Sequence, residues 1–167
     1  MSVIAYTIQH SLNTFISTEE ANLGLPLLTD IIIDEGKIIE AISEISSSSA
    51  AGPDGMQAIL LKECAKEISE PLQIVFRSMF DCHYIPDMLK RAAIVPIFKS
   101  GDKSQPANYH PISLTPIIMK ILERIVRKQV VKFLTKNDYL NPTQHGFREG
   151  RSCLSALLDV YDDIVTL

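Results

Sequence analysis

Residues 96–114, PIFKSGDKSQPANYHPISL, contain two short apolar segments separated by a basic loop. Residues 92–98 are apolar and rich in β-branched side chains, which predicts a strand covered on both faces. The Gly-Asp pair at 101–102 is typical of a tight turn, because glycine adopts unusual φ values and aspartate hydrogen-bonds its own backbone. Residues 109–114 are expected to return antiparallel, with Pro111 at an edge or a bulge because proline donates no hydrogen bond. The stretch therefore predicts a small antiparallel hairpin.

The loop of this hairpin carries positive charge. Lys99 and Lys103 are expected to lie beside His110 at the open end of the hairpin. Such a cluster suits a phosphate-rich ligand, because compact ammonium groups balance the charge of a polyanion. A solvated surface hairpin without a ligand is the alternative that these residues alone leave open.

Three helices are predicted before the hairpin. Asp34 is a plausible N-cap for the first, whose apolar face contains Ile38, Ala41, Ile42 and Ile45. The second is predicted over residues 59–67. Ser69 is expected to cap the third, with Pro71 tolerated in its first turn. The buried stripe predicted for the third helix consists of Leu72, Val75, Phe76, Met79 and Phe80.

Two more helices are predicted after the hairpin. Thr115 and Pro116 are typical of a helix start, and Ser152 is expected to cap the last helix. The residues predicted to face a core from the first of these helices are Ile118, Ile121, Leu122, Ile125, Val126 and Phe133. The apolar face of the last helix consists of Leu154, Leu157, Leu158, Tyr161, Ile164 and Val165. The fold class predicted is α+β, mostly helical with a small antiparallel β-hairpin.

Composition restricts the class of protein. Hydrophobic residues make up 46% of the 167 residues and charged residues 22%, which is typical of a globular chain. No apolar run approaches the ~20 residues that span a bilayer, and the first residues lack the basic and apolar regions of a signal peptide. The three cysteines are widely spaced and suggest neither a disulfide framework nor a zinc site. We therefore expect an intracellular protein, cytoplasmic or nuclear, without a membrane partner or a bound metal.

Charge is distributed unevenly along the chain. Residues 1–85 contain 4 Lys/Arg and 12 Asp/Glu, whereas residues 86–167 contain 12 Lys/Arg and 8 Asp/Glu. A basic excess in the half that carries the hairpin favours a nucleic-acid or nucleotide partner. A solvated charged face remains the alternative.

Basic side chains also recur at helical spacing after the hairpin. Lys120, Arg124, Lys128 and Lys132 follow one another every four residues, with Arg127 beside them. Like charges at this spacing destabilise an isolated helix by a few tenths of a kcal/mol per pair, and a polyanion along the stripe would relieve the repulsion. A solvated face is again the alternative. Further along, Arg148 lies between Gly146 and Gly150, and Arg151 follows Gly150 just before the last helix, where backbone N–H groups and guanidinium forks suit phosphate.

Three motifs follow one another along the chain. The first is Ala51-Gly52-Pro53-Asp54-Gly55, the second is the hairpin sequence PIFKSGD…PANYHPISL, and the third is QHGFREGRS at residues 144–152. In this order they resemble the reverse transcriptases of non-long-terminal-repeat retrotransposons, the LINE-type and jockey-like elements in particular. Each motif is weak alone, whereas three in the right order are a strong signal. The resemblance covers roughly residues 35–167 and implies the fingers part of a right-hand polymerase fold.

The resemblance implies roles for individual residues. Lys99 and His110 are expected to contact the incoming deoxynucleoside triphosphate. His110 stands where the family usually has arginine, which implies a weaker contact because histidine is shorter and about neutral at pH 7. The residues expected to contact template or nucleic acid are Gly52, Pro53, Asp54, Gly55, Lys120, Arg124, Lys128, Arg148 and Arg151.

The catalytic groups of the family are not expected in this chain. Polymerisation needs carboxylates that hold Mg²⁺. In the family these carboxylates lie on later strands, which are expected beyond Leu167. Tyr161-Asp162-Asp163 lacks the spacing of the family motif and its neighbours follow helical periodicity, so these acids are interpreted as part of a helix surface. We therefore predict no catalytic residue and no metal site, and we expect Mg²⁺ only for the complete polymerase.

These inferences define one domain and three functional alternatives. Residues 1–33 are interpreted as a poorly specified leader, and residues 34–167 as a partial reverse transcriptase domain truncated before the catalytic palm strands. Its expected partners are an RNA template, a DNA primer, a nucleoside triphosphate and the missing palm and thumb of the parent protein. The alternatives are a non-catalytic module that binds RNA or single strands, and an inactive structural remnant.

Overall fold

The computed structural model describes residues 26–146, 148 and 150–165, apart from the side chain of residue 163. Most of the predicted leader, residues 1–25, lies outside these residues. The helices are α1 (Glu35–Ser43), α2 (Ala58–Glu63), α3 (Ala65–Asp81), α4 (Asp87–Lys90), α5 (Ile117–Lys136) and α6 (Cys153–Val165). The strands are β1 (Ala93–Phe98) and β2 (Tyr109–Leu114), with a short 3₁₀ turn at Pro106–Asn108 before β2. This architecture confirms the predicted mostly helical α+β fold with a small antiparallel hairpin.

The chain divides into two compact units, Met1–Lys128 and Gln129–Leu167. The core of the first unit is formed by α1, α3 and the first turns of α5. Its buried apolar side chains include the complete predicted face of α1 and, from α3, Leu72, Phe76 and Met79. Helix α5 buries Ile117, Met119, Ile121, Leu122 and Ile125. Ile31 and Ile33, just before α1, are also buried, so the end of the predicted leader contributes to this core.

Helix α1 begins as the sequence predicts. The Asp34 side chain accepts a hydrogen bond from the Lys37 backbone N–H at 2.8 Å, and the Lys37 ammonium lies 2.6 Å from the other carboxylate oxygen. The cap satisfies a backbone donor that the first turn of a helix leaves without an intrahelical partner. These hydrogen bonds from Lys37 lower the pKa of Asp34 below its ordinary value of 3.8.

Replacing Asp34 by alanine is expected to lower the free energy of unfolding by about 1 kcal/mol at neutral pH. Because the pKa of Asp34 is lowered on folding, its stabilising contribution is complete above its unfolded pKa and is lost as the pH falls through the folded value. Urea unfolding of both proteins at about pH 7 and about pH 3 measures this difference. Asp34→Asn is the control, since asparagine keeps the cap without a titrating group. An Asp34→Ala cost that persists unchanged in acid would contradict the role of the carboxylate.

The boundary between α2 and α3 differs from the prediction. Helix α2 ends at Glu63, α3 begins at Ala65, and Pro71 lies inside α3 rather than in a first turn. Ser69 is a fully buried interior residue whose hydroxyl donates to the Lys66 carbonyl at 2.8 Å, so it caps no helix. Proline in this position leaves the Glu67 carbonyl without its usual backbone donor. Burial of the apolar side chains that follow offsets this loss, so the helix continues past Pro71.

The hairpin has the predicted antiparallel pairing. Its register runs from Ala93 opposite Leu114 to Phe98 opposite Tyr109, with Pro96 opposite Pro111. Paired residues alternate between hydrogen-bonded and non-hydrogen-bonded positions, and the Lys99 N–H donates to the Asn108 carbonyl at 2.8 Å. The proline pair therefore falls at a non-hydrogen-bonded position, where neither nitrogen faces the partner strand. Both prolines are accommodated without loss of a ladder bond.

The prediction that β1 is covered on both faces is wrong. Ile94 is 66% exposed and Ile97 is 46% exposed. The sheet contains two strands within the described part of the chain, and each strand pairs on one side only. An apolar sequence cannot distinguish a strand covered by its own chain from one that leaves its faces open.

The second unit is organised by α6 and the loop before it. Ser152 caps α6 as predicted: its hydroxyl accepts from the Ser155 N–H at 3.2 Å, and the Ser155 hydroxyl accepts from the Ser152 N–H at 2.8 Å. The apolar face of α6 is exposed, with Leu154, Leu157 and Ile164 each 66% accessible. Phe133 and Tyr139 make an edge-to-face contact with ring centroids 5.8 Å apart. Among the described residues, no helix has the length and apolar character needed to cross a bilayer.

Candidate nucleic-acid interface

The loop between β1 and β2 is fixed by internal hydrogen bonds. The Asn108 side-chain amide donates to the Asp102 carbonyl at 2.8 Å, and the Tyr109 hydroxyl donates to the Lys103 carbonyl at 2.9 Å. The Asp102 carboxylate accepts from the Ser104 N–H at 2.9 Å, and bonds from Ser104 lower the pKa of Asp102. Gly101 has φ +90°, a conformation that favours glycine. Sequence reasoning missed Asn108 and Tyr109, whose side chains hold this loop in one shape.

The hairpin separates the basic side chains that the sequence places together. His110 pairs with Ile97, and the strand alternation places Lys99 on the same face of the ribbon as these two residues. The Lys103 ammonium instead lies 5.6 Å from the ring centroid of Phe98, which belongs to the opposite face. The expectation that Lys103 sits beside His110 is therefore wrong, because the aromatic ring attracts the ammonium to the other side. Lys99 and His110 are both exposed.

The Gly52–Gly55 motif forms a tight turn in which the two glycines serve different purposes. The Gly55 N–H donates to the Gly52 carbonyl at 3.1 Å, and Gly55 has φ +69°. A Cβ atom at Gly52 would lie 2.6 Å from the backbone nitrogen of Pro116. Gly52 is therefore required for close packing of this loop against the start of α5. The prediction that Gly52, Pro53, Asp54 and Gly55 contact template stays a prediction.

An open cleft of about 540 Å³ lies beside this turn. It is lined by Asp54, Gly55, Met56, Gln57, Ile59, Leu60 and Glu63. The two carboxylates repel phosphate, whereas the exposed Ile59 and Leu60 give the cleft an apolar wall. The cleft therefore does not favour a nucleic-acid backbone.

The basic stripe of α5 is largely occupied by groups of the chain itself. The Arg124 guanidinium lies 3.0 Å from Glu44 Oε2, and the Lys128 ammonium contacts both Glu40, at 2.7 Å, and Glu44. Hydrogen bonds from Lys128 and Arg124 lower the pKa of Glu44. Hydrogen bonds to Glu40 and Glu44 raise the pKa of Lys128. Lys120 donates to the Ala50 carbonyl at 3.4 Å. Glu40 and Glu44 thus supply the negative charge that the sequence predicts from a polyanion. Nucleic-acid contact by Lys120, Arg124 and Lys128 stays a prediction.

In the second unit, a histidine joins Arg151 to the last helix. His145 Nδ1 lies 2.8 Å from the Ser155 hydroxyl, and Nε2 lies 2.8 Å from the Asp159 carboxylate and 3.1 Å from Arg151 Nη1. The His145 side chain is 8% exposed. Sequence reasoning assigned no role to His145, although Ser155 and Asp159 are one helical turn apart and could have indicated a shared partner.

Arg148 is also used within the second unit, where its guanidinium donates to the Asn141 carbonyl at 3.0 Å. Both predicted arginines therefore brace the loop before α6, and their contact with nucleic acid stays a prediction. Tyr161 and Asp162 lie inside α6, as their helical periodicity indicates. Within the described ranges, no group of three or more His, Cys, Asp or Glu side chains could hold a metal ion.

Comparison with known proteins gives the class. The chain is related to the RNA-directed DNA polymerases of non-long-terminal-repeat retrotransposons, jockey-like elements among them. It is 30% identical over 131 residues to the probable RNA-directed DNA polymerase from transposon X-element of Drosophila melanogaster, which covers 78% of this chain and 14% of that protein. It is 28% identical over 134 residues to the RNA-directed DNA polymerase from mobile element jockey of the same organism, covering 76% and 14%.

A third relative is the probable RNA-directed DNA polymerase from transposon BS of Drosophila melanogaster. The identity is 27% over 135 residues, covering 76% of this chain and 15% of that protein. The chain thus spans 14–15% of the length of these relatives. No family model matches the sequence. These relationships confirm the resemblance inferred from the three motifs.

Proposed function

We propose that this chain is the part of a retrotransposon RNA-directed DNA polymerase that holds the template and the incoming nucleotide. The observation that carries the proposal is the arrangement of Lys99 and His110. Both side chains are exposed, strand alternation assigns them to one face of the hairpin, and the adjoining loop is held in one shape by Asn108 and Tyr109. An ammonium group presented from a fixed loop suits a triphosphate or a backbone phosphate.

The proposal assigns binding, and no chemical step, to this chain. It places the two-metal chemistry of such polymerases in other parts of the parent protein. The proposed partners are an RNA template, a DNA primer, a deoxynucleoside triphosphate and the palm and thumb of that protein. In this proposal Lys99 contributes an ammonium group, and His110 contributes a shorter donor.

Replacing Lys99 by glutamine is expected to weaken binding of a fluorescein-labelled single-stranded RNA by about 5-fold at ~0.1 M salt, since one phosphate contact on a single strand contributes a slope of ~0.7 in log K against log salt. Fluorescence anisotropy over a series of salt concentrations measures both the affinity and the slope. In the same assay, His110→Arg is expected to strengthen binding because it adds a permanent charge beside Lys99.

Lys66→Gln is the matched control for this experiment. Lys66 is exposed on α3 in the same unit, and the substitution removes the same charge at a distance in sequence from the hairpin. It is expected to change neither the affinity nor the slope beyond the small effect of net charge. Absence of RNA binding by the unmodified chain at low salt would contradict the proposed function, and equal losses in the Lys99 and Lys66 variants would contradict the role of the hairpin.

A further inference from the structure

Two short ladders of opposite charge face each other in the first unit. Glu40 lies in the last turn of α1 and Glu44 is the C-cap residue of that helix, whereas Arg124 and Lys128 lie one turn apart on α5. Glu44 contacts both cations, and Glu40 contacts Lys128. The four side chains keep between 36% and 57% of their surface exposed, so the cluster lies at the surface and not in the core. We refer to these four residues as the carboxylate clamp.

We propose that Glu40 and Glu44 act as internal substitutes for phosphate, so that nucleic acid must displace them to reach Arg124 and Lys128. The inference rests on the proposed function and concerns the regulation of that binding. It makes the clamp an autoinhibitory contact, which lowers the affinity of the chain for a polyanion until the two carboxylates are moved or neutralised.

The geometry of the clamp supports exchange of partners. Carboxylate and phosphate oxygens make the same kind of charge-assisted hydrogen bond to guanidinium and ammonium groups. Exposed ion pairs contribute little to stability and are screened by salt, so their loss is compatible with an intact fold. A polyanion gains counterion release at each cation that it reaches. The displaced carboxylates would remain near the phosphates and repel them. This repulsion favours the ion-paired state over the state with bound nucleic acid.

Lys120 lies on the same helix but outside the clamp. Its ammonium donates to the Ala50 carbonyl at 3.4 Å, and its charge acts on Glu123, whose pKa burial raises and Lys120 lowers. Glu40 and Glu44 therefore pair with Arg124 and Lys128 and not with Lys120. The unmodified chain should accordingly bind nucleic acid through fewer cations than the sequence of α5 suggests.

The test compares the unmodified chain with the Glu40→Gln/Glu44→Gln variant, using the labelled single-stranded RNA described above. Release of two cations is expected to raise the affinity about 5-fold to 25-fold at ~0.1 M salt and to steepen the slope of log K against log salt by up to ~1.4. Glu67→Gln/Glu70→Gln is the matched control. It changes net charge equally at two exposed positions of α3 that make no ion pair among the residues described. Circular dichroism verifies that each variant remains folded.

A second pair of variants isolates the clamp from the effect of net charge. Arg124→Gln/Lys128→Gln is expected to weaken binding by less than about 2-fold in the unmodified chain, but to abolish the gain in the Glu40→Gln/Glu44→Gln background. Independent charge effects would instead add in every background.

Two outcomes would overturn the inference in distinguishable ways. If the unmodified chain binds RNA and the Glu40/Glu44 variant binds no better than the Glu67/Glu70 control, the clamp is not inhibitory and the proposed function stands. If neither the unmodified chain nor the clamp variant binds at low salt, the proposed function fails and the inference fails with it.

Discussion

Replacing Phe76 by alanine is expected to lower the free energy of unfolding by about 3–5 kcal/mol. Phe76 is fully buried in α3, the helix that packs against α1, and it is among the largest enclosed side chains of the first unit. The substitution removes apolar surface that folding takes out of water and leaves a cavity that the surrounding helices fill only in part. For a single domain of marginal stability, a loss of this size is a large share of the total. Urea unfolding followed by circular dichroism measures it.

Val75→Ala is the control on the same helix. Val75 is 44% exposed, although sequence periodicity assigned it to the buried stripe. Its replacement is expected to change stability by no more than about 0.5 kcal/mol. Equal losses at the two positions would mean that α3 packs through a different face. The experiment also addresses the third functional alternative, because a structural remnant without a specific core would unfold without a cooperative transition.

Local sequence signals were sufficient for α1 and for the hairpin. A capping carboxylate and apolar residues at helical spacing depend on neighbours within a turn or two, so Asp34 and the face of α1 could be identified directly. The hairpin was predictable for the same reason, because a glycine-containing turn joins two segments of similar length. Its pairing follows from local geometry, whereas the exposure of β1 depends on which other elements cover it.

The candidate site shows where sequence reasoning stops. The cations of α5 repeat every four residues, and two of them, Arg124 and Lys128, pair with carboxylates that are distant in sequence. Their partners Glu40 and Glu44 lie 80–88 residues earlier and meet them only because α1 and α5 share one core. A partial signal was available, since two acids four residues apart at the end of α1 match two cations one turn apart on α5. Such matching becomes decisive only when the packing of the helices is known.

Replacing Gly52 by alanine is expected to lower the free energy of unfolding by about 3 kcal/mol, near the upper end of the cost of overpacking. The new Cβ atom would lie 2.6 Å from the nitrogen of Pro116 and 2.7 Å from the carbonyl carbon of Thr115. Both are backbone atoms at the start of α5, so they cannot turn aside as the end of a flexible side chain could. Either the turn or the start of the helix has to move. Urea unfolding of the variant measures the cost.

Gly55→Asn separates the two requirements for glycine in this motif. Gly55 has φ +69°, and no atom of the described residues, apart from its two chain neighbours, lies within 4 Å of a Cβ atom added there. Asparagine tolerates this left-handed conformation, so the expected loss is less than about 1 kcal/mol. If Gly52→Ala is as mild as Gly55→Asn, the close packing of Gly52 is not required for the fold.

If Gly52→Ala is costly, loss of RNA binding in that variant cannot be assigned to template contact, because the substitution also displaces the start of the helix that carries the clamp cations. Gly55→Asn leaves that packing intact, so its effect on RNA binding is the measurement that tests whether the turn contacts template.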